Sequence, residues 1–464
     1  MSTTLTDRHG RWSNWGRSAH AYPAAVEHPR NEDELCAILA RAHREGWRVK
    51  VVGGSHSFTD IAATSGTMIS LDALQGLTGV DPVSGLVSML GGTRVWTISD
   101  ALAPYGLALP NMGDIDRQSI AGALSTGTHG TGLAFTGYSG MARAFRLALA
   151  DGTVVSASAE ENSELFEAAR VGLGAIGVIL EVTLACVPSF SVAASEHPEP
   201  LKGMLSSFVE RSRTEDHVEF YWFQGTQTVS TKVNRRGPAD AALEPLSRTQ
   251  VLFDDELLGN GGHRAVCELG RVFPAAIPAM NRLAAAAMGR RDFSDRSDRV
   301  FVSPRRTRFR EMEYAIPLED FEPVFREVVA AVNGLGAGIT FPLEVRTAAA
   351  DSTWLGTASG RETAYIAVHR FVKEAHRPLF DALEPLLKAA SGRPHWGKMH
   401  TRTAADLAPN YPQFHDFLRV RDSVDPGGLF SNDYLDRVLG PPPQRAARVP
   451  GGALPERPPA NPPH

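Results

Sequence analysis

A histidine set among small and hydroxylated residues is the first place in this chain where chemistry could reside. Val51-Val-Gly53-Gly54-Ser55-His56-Ser57-Phe58 reads as a strand opening into a tight turn. A Gly-Gly-Ser turn bares successive backbone N–H groups, the nest that a pyrophosphate needs. Ser55 and Ser57 add hydroxyl donors, whereas His56 is not needed to hold phosphate and could equally be a satisfied loop histidine. A second run, from Asn111 to Gly132, gathers Gly113, Asp114, Ser119, Gly122, Thr126, Gly127, Thr128 and His129. Small residues there would admit a flat, extended ligand, and hydroxyl and N–H groups would bind its polar edge. Ile120, Ala121, Ala123 and Leu124 in the same run are apolar, which argues against a plain glycine linker. Gly172-Leu-Gly174-Ala-Ile-Gly177 matches GxGxxG, but a helical pattern precedes it and a strand pattern follows. Phosphate binding at a helix N-terminus needs the opposite order. The motif therefore predicts a helix end and close backbone packing, in a turn that could still line a ligand.

The elements that must position these loops follow from periodicity. Asn31 and Glu34 open a helix in which Leu35, Ile38, Leu39 and Ala42 recur, and Gly46 closes it. Short strands follow at 48–52, 67–71 and 86–90, with a helix over 93–105. Asp151-Gly152 marks a hairpin between 144–150 and 153–157. A helix over 164–170 and a buried strand over 178–187 complete a mixed α+β region, residues 1–190. Residues 191–394 read as a second α+β domain. It has a hairpin at 217–223 and 228–233, irregular chain over 235–262, a helical segment over 264–288 and an arginine-rich connector. Strands at 311–316, 341–346 and 364–371 and helices at 318–332 and 374–390 follow. Residues 395–440 form a return to the first domain, and 441–464 a disordered proline-rich tail.

Composition excludes several classes. The net charge of −5 argues against a nucleic-acid binder. Cys36, Cys186 and Cys267 are far apart, so neither a disulfide framework nor a metal site is expected. No run of 18 apolar residues and no secretory leader is visible, which predicts no membrane span and a cytoplasmic protein. Nine of the 31 prolines fall in the last 24 residues, while 16 of the 43 glycines fall within 53–140. Glycine therefore concentrates around the two runs that could hold a ligand.

Together, GGSHSFTD (53–60), SIAGALSTGTHGTG (119–132), EMEYAIP (311–317), EVR (344–346) and HWGKMH (395–400) resemble a known group. It is the vanillyl-alcohol-oxidase (PCMH) type of FAD-linked oxidoreductase, and within it the aldonolactone oxidase group. The resemblance, which runs from about Trp15 to Gly440, implies an α+β fold: a two-subdomain FAD-binding domain and an α+β substrate, or cap, domain. It implies FAD, attached covalently through His56, with the pyrophosphate on Gly53, Gly54, Ser55 and Ser57. Gly113, Asp114, Ser119, Gly122, Thr126, Gly127, Thr128, His129 and Val178 match cofactor-contacting positions, with His129 lining or supporting rather than acting as base. The implied reaction is hydride transfer from a carbinol of an aldono-1,4-lactone to flavin N5, with O2 or another electron acceptor.

In Glu344-Val-Arg346 the alternating residues share one strand face. By resemblance, Arg346 binds substrate oxygen, Glu344 orients Arg346, Lys398 faces flavin and substrate, and His369 is a candidate base. Read without that context, Glu344 and Arg346 could be a plain ion-pair set, Lys398 a surface lysine and His369 a core histidine. Asp114 and Phe371 depart from the alditol oxidases, which carry hydroxyl residues there. Gly113 would leave a path for oxygen and favours an oxidase over a dehydrogenase. The alternatives are an alditol, sugar-alcohol or secondary-metabolite oxidase, or a catalytically silent flavin-binding protein. The silent class predicts missing site residues, yet Glu344, Arg346 and Lys398 are all present.

Overall fold

Three sheets of three or more strands carry the site in the computed structural model, which describes residues 5–250, 261–287, 289–303, 305–336 and 338–443. The smallest is parallel, with Thr67–Ser70 between Ala25–Glu27 and Val49–Val52. Parallel strands need a crossover, and the helix Glu32–Glu45 supplies it. Its start and stop are the predicted ones: the Asn31 side chain accepts from Glu34 N–H, and Gly46 takes a left-handed φ of 69°. Leu35 and Leu39 on its inner face pack with Val49 and Ile69.

The second sheet is antiparallel, in the order Val154–Ser158, Ala142–Ala148, Val178–Ala185, Leu86–Leu90 and Leu77–Asp81. The Asp151-Gly152 hairpin is present in it. The helix Ser163–Arg170 precedes the Gly172–Gly177 turn and Val178–Ala185 follows, the order read from sequence.

The third sheet has eight antiparallel strands. Their order is Arg291–Arg296, Phe190–Pro200, Thr228–Pro238, His217–Trp222, Leu343–Ala348, Thr363–Phe371, Phe309–Pro317 and Arg393–Pro394. Side chains alternate across a strand, and here the alternation separates core from site. Phe220, Trp222, Met312, Tyr314, Leu343, Val345, Ile366 and Val368 face one way and form one apolar cluster with Phe208, Phe321, Phe325 and Leu383. Those partners belong to the helices Leu201–Thr214, Phe321–Gly334 and Arg377–Ala389. Burying each large side chain contributes about 1.5–3 kcal/mol. Tyr221, Lys232, Glu311, Glu313, Glu344, Arg346, Tyr365 and His369 face the other way, onto a cavity.

Several elements differ from the sequence expectations. The strand Phe190–Pro200 and the helix Leu201–Thr214 were not expected. The second hairpin strand runs on to Pro238, into chain read as irregular, and residues 251–260 of that stretch lie outside the described residues. The arginine-rich connector holds the strand Arg291–Arg296 and the helix Ser297–Phe301. Near the C-terminus, Phe417, Val420, Leu435 and Val438 share a core with Ile98, Leu124 and Phe166. Of the proline-rich tail, residues 444–464 lie outside the described residues. Among the described residues no helix is long and apolar enough to cross a membrane.

Candidate active site

A cavity of about 1520 Å³ lies between the polar face of the large sheet and the glycine-rich loops. A site for a drug-sized ligand occupies roughly 300–1,000 Å³, so this one has room for a dinucleotide and a substrate together. Its loop wall is built by close backbone approach. A Cβ on Gly53 would come 2.3 Å from Ser119 Oγ, and one on Gly54 would come 2.4 Å from Arg117 O. Only glycine lets residues 53–54 and 117–119 lie this close. Ser55 then takes a left-handed φ of 56° and turns the loop. Its Oγ accepts from Trp12 Nε1 at 3.2 Å, which leaves the hydroxyl proton free to donate. Ser119 caps the helix Ile120–Ser125 by accepting from Gly122 N–H.

His56 stacks on Trp15, with ring centroids 5.3 Å apart. Its Nδ1 is shut off from solvent and has no hydrogen-bond partner among the described residues. Burial, then the cations Lys398, Arg117, Arg94 and Arg308, push His56 down to about 4. The imidazole is therefore neutral at neutral pH and keeps a free nitrogen lone pair. The same loop is tied to the C-terminal return, because Phe58 N–H donates to Gly397 O. Gly397 precedes Lys398, so this bond ties the His56 loop to the turn that carries Lys398.

Lys398 is fixed from both sides. Met399 N–H donates to Glu311 O and His395 N–H to Glu313 O. The Lys398 ammonium pairs with Glu311 and lies 3.6 Å from Glu313. Burial works to lower Lys398, but Glu311 and Glu313 outweigh it and raise its pKa, so the cation persists. Arg346 pairs with Glu344, bonds Glu219 at 2.9 Å and lies 3.6 Å from Asp114. Arg305 forks onto Asp114 Oδ2 at 3.0 and 3.1 Å. Against the effect of burial, Arg346 and Arg305 hold Asp114 well below the usual carboxylate range. Glu344 behaves in the opposite sense: burial, supported by Asp114 and Glu219, raises it despite Arg346. His369 Nδ1–H donates to Pro342 O, and its Nε2 lies 3.5 Å from Glu311 and 3.9 Å from Glu344. Burial works to lower His369, but these carboxylates raise it overall.

The four residues expected to act on substrate, Glu344, Arg346, His369 and Lys398, therefore meet on one wall. Gly53, Gly54, Ser55, His56, Ser57, Gly113, Asp114, Ser119, Gly122, Thr126, Thr128, His129 and Val178 line the same cavity. Gly127 does not: it is a left-handed turn, φ 73°, set behind the wall at the end of the helix Ile120–Ser125. His129 spends both ring nitrogens on Gly130 O and Glu313 and stacks on Tyr365, which suits support rather than base chemistry. Leu173, Gly174 and Gly177 reach the wall, so the GxGxxG turn lines the cavity. Phe371 does not face the cavity and packs with Phe58, Cys267, Phe309 and Phe341.

Sequence reasoning assigned no role to Tyr221, Arg305, Glu311, Glu313 or Glu219. Glu311-Met-Glu313-Tyr and Glu219-Phe-Tyr221-Trp carry the same polar–apolar alternation as Glu344-Val-Arg346, and that signal would have found four of the five. Arg305, in the connector, has no such pattern.

With a charged sheet face opposite a glycine-rich loop wall, the matches to known proteins place the chain, by class, among the FAD-dependent oxidoreductases. Residues 23–158 match an FAD binding domain, and residues 182–438 match D-arabinono-1,4-lactone oxidase. The L-gulono-1,4-lactone dehydrogenase of Mycobacterium tuberculosis is 41% identical over 93% of this chain and 99% of its own length. Bos taurus L-gulonolactone oxidase is 31% identical over 92% of this chain and 98% of its own length. The alditol oxidase of a Streptomyces species is also 31% identical, over 95% and 100%. In fold, the chain matches cholesterol oxidase from B. sterolicum at a TM-score of 0.76, with 15% identity over 93% of this chain and 96% of that one. The chain belongs to the D-arabinono-1,4-lactone oxidase family.

The residues present fit FAD. The loop approach that only glycine permits, a cavity of dinucleotide size and the unpartnered Nδ1 of His56 are all on its wall.

Proposed function

We propose that this protein oxidises a carbinol of an aldono-1,4-lactone of the L-gulono, L-galactono or D-arabinono type. The observation that carries the proposal is the convergence of Arg346, Glu344, Lys398 and His369 on the cavity that also holds His56. Bound FAD would supply the hydride acceptor, N5. The Arg346 fork binds the substrate oxygen, and Glu344 and Glu219 fix its plane. Lys398 keeps positive charge where alkoxide or reduced-cofactor charge develops. His369, when neutral, takes the hydroxyl proton at Nε2. His56 is the residue that would carry a covalent link to FAD, a role its neutral state and unpartnered Nδ1 suit. In this reading residues 1–190 hold the cofactor, 191–394 the substrate, and 395–440 bring Lys398 between them.

The relatives named for gulono- and arabinono-lactones and the match over residues 182–438 support a lactone. A neutral substrate also suits a wall whose carboxylates are largely paired with Arg305, Arg346, Lys232 and Lys398. An alditol is the second reading, supported by the alditol oxidase relative. Electrons would then pass to O2 or to another acceptor. A Cβ on Gly113 would come 3.0 Å from His129 O and 3.3 Å from Thr128 Cγ2, so this glycine serves close packing and does not favour oxygen over another acceptor. Free Cys36, Cys186 and Cys267 suit a reducing, cytoplasmic setting.

Anaerobic mixing of the yellow protein with each 1,4-lactone, xylitol and sorbitol tests the proposal. Lactones are expected to bleach the flavin fastest; bleaching by alditols alone would transfer the assignment to them, and bleaching by neither class would reject it. Peroxide release against dye reduction then identifies the acceptor.

A further inference from the structure

Lys50 is a buried amine on the cavity wall, and nothing in the proposed chemistry uses it. It lies on the strand Val49–Val52, which leads into the Gly53–Ser57 loop, and is 2% exposed. Leu173, Gly174, Val178 and Phe430 line the cavity with it. Its Nζ donates to Phe430 O at 3.1 Å, the only hydrogen bond it makes among the described residues. Asp425, the carboxylate that acts on it, accepts instead from the N–H groups of Leu429 and Phe430 at 2.8 and 2.9 Å. An ammonium carries three donors, so Lys50 has capacity left over. Burial, weakly opposed by Asp425, pushes it down to about 7. Such a group is costly to keep in a core unless something takes its hydrogen bonds.

Position identifies what that partner is. At about 3.3 Å per residue, Lys50 stands about 10 Å along the strand from Gly53, a nucleoside's length beyond the loop that would hold the pyrophosphate. A Cβ on Gly174 would come 3.7 Å from Nζ, so the Gly172–Gly177 turn lies directly against the amine. Leu173 and Val178 make this end of the wall apolar. A flat, uncharged ring with acceptor nitrogens fits both the apolar flanks and the spare donors. We propose that Lys50 recognises the adenine ring of FAD, donating from Nζ to a ring nitrogen while Phe430 O fixes the amine's direction. The inference rests on FAD as cofactor, not on the substrate assigned above.

The test uses the full chain carrying His56→Ala, so that flavin exchanges freely, with and without Lys50→Met, which keeps length and removes the donors. Binding of FAD, FMN and flavin cytosine dinucleotide is read by flavin fluorescence. The single variant is expected to prefer FAD over the cytosine dinucleotide by at least tenfold. Lys50→Met is expected to bring that preference within twofold while leaving FMN binding unchanged. Equal weakening of all three flavins would make Lys50 a structural pin, and equal weakening of the two dinucleotides alone would make it a pyrophosphate contact; either result overturns the proposal, as does an unchanged preference. Should Lys50→Met fail to fold, reductive methylation read by mass spectrometry on the His56→Ala protein decides. FAD, and not FMN, is expected to protect Lys50; protection by both, or by neither, rejects the adenine contact.

Discussion

Of the carboxylates around Arg346 and Lys398, Glu344 is raised while Asp114, Glu219, Glu311 and Glu313 are lowered. Groups whose environments push their proton affinities apart are those to which acid and base roles can be given. For His369 the sign follows from its neighbours. Its pKa is raised, so the neutral, proton-accepting form prevails above that value and is lost as pH falls through it. The acid limb of kcat/KM should therefore lie above the ordinary histidine value of about 6.5. Glu311→Gln removes the carboxylate that contributes most to the raise, so the limb should move to lower pH; a limb that stays put would take the base role from His369. Arg346→Lys keeps the charge but loses the fork, and kcat/KM should fall about 10²–10³-fold at unchanged flavin content. Arg346 was picked out through the resemblance, whose motif there stands in one short strand; the alternation alone left an ion-pair set open. Arg305 was not, because its pairing with Asp114 joins residues 191 apart in sequence.

At the scale of elements, legibility followed the strength of the local signal. The helix Glu32–Glu45 carries its own caps and apolar period, and the Asp151-Gly152 hairpin its own turn, so both were readable. The strand Phe190–Pro200 was not, because Pro198 and Pro200 argue against a ladder. The structure shows why they are tolerated: the outer partner Arg291–Arg296 pairs only with 191–196, so both prolines lie where the strand is an edge. The helix Leu201–Thr214 follows at once, and its Leu201, Met204, Leu205 and Phe208 spacing was a readable signal that the expectation passed over. The loop elements give the sharper prediction. Gly54→Ala would place a Cβ 2.4 Å from Arg117 O and 3.0 Å from Gln118 Cα, both backbone atoms with little freedom to yield. The two glycine-rich segments must separate, so purified Gly54→Ala should hold much less FAD than the parent. Full flavin content would show that close approach is not what the loop needs glycine for.

For the whole molecule, the decisive connection is the one that brings the C-terminal return back onto the first sixty residues. Asn432 does two jobs with one side chain. Its Oδ1 accepts from Leu435 N–H and caps the helix Asp433–Leu439. Its Nδ2 donates to Asp60, Ile61 and Ala63 carbonyls at 2.9, 3.1 and 3.0 Å, just beyond the His56 loop. Tyr434, two residues on, donates to Trp396 O at 2.9 Å, two residues before Lys398. The same short helix thus anchors both the loop that presents His56 and the turn that presents Lys398. Loss of the cap alone costs about 1 kcal/mol, and carbonyls left without a donor in a buried setting add on the order of 1–3 kcal/mol. Asn432→Ala should therefore lower unfolding stability in urea by more than a cap's worth. Asn432→Asp separates the two jobs, since a carboxylate caps as well as an amide but faces three carbonyl oxygens with no donor. It should destabilise at least as much as alanine and weaken flavin retention with it. If aspartate restored stability to the parent level, the cap alone would account for Asn432, and the coupling of His56 to Lys398 would rest on the Phe58–Gly397 bond.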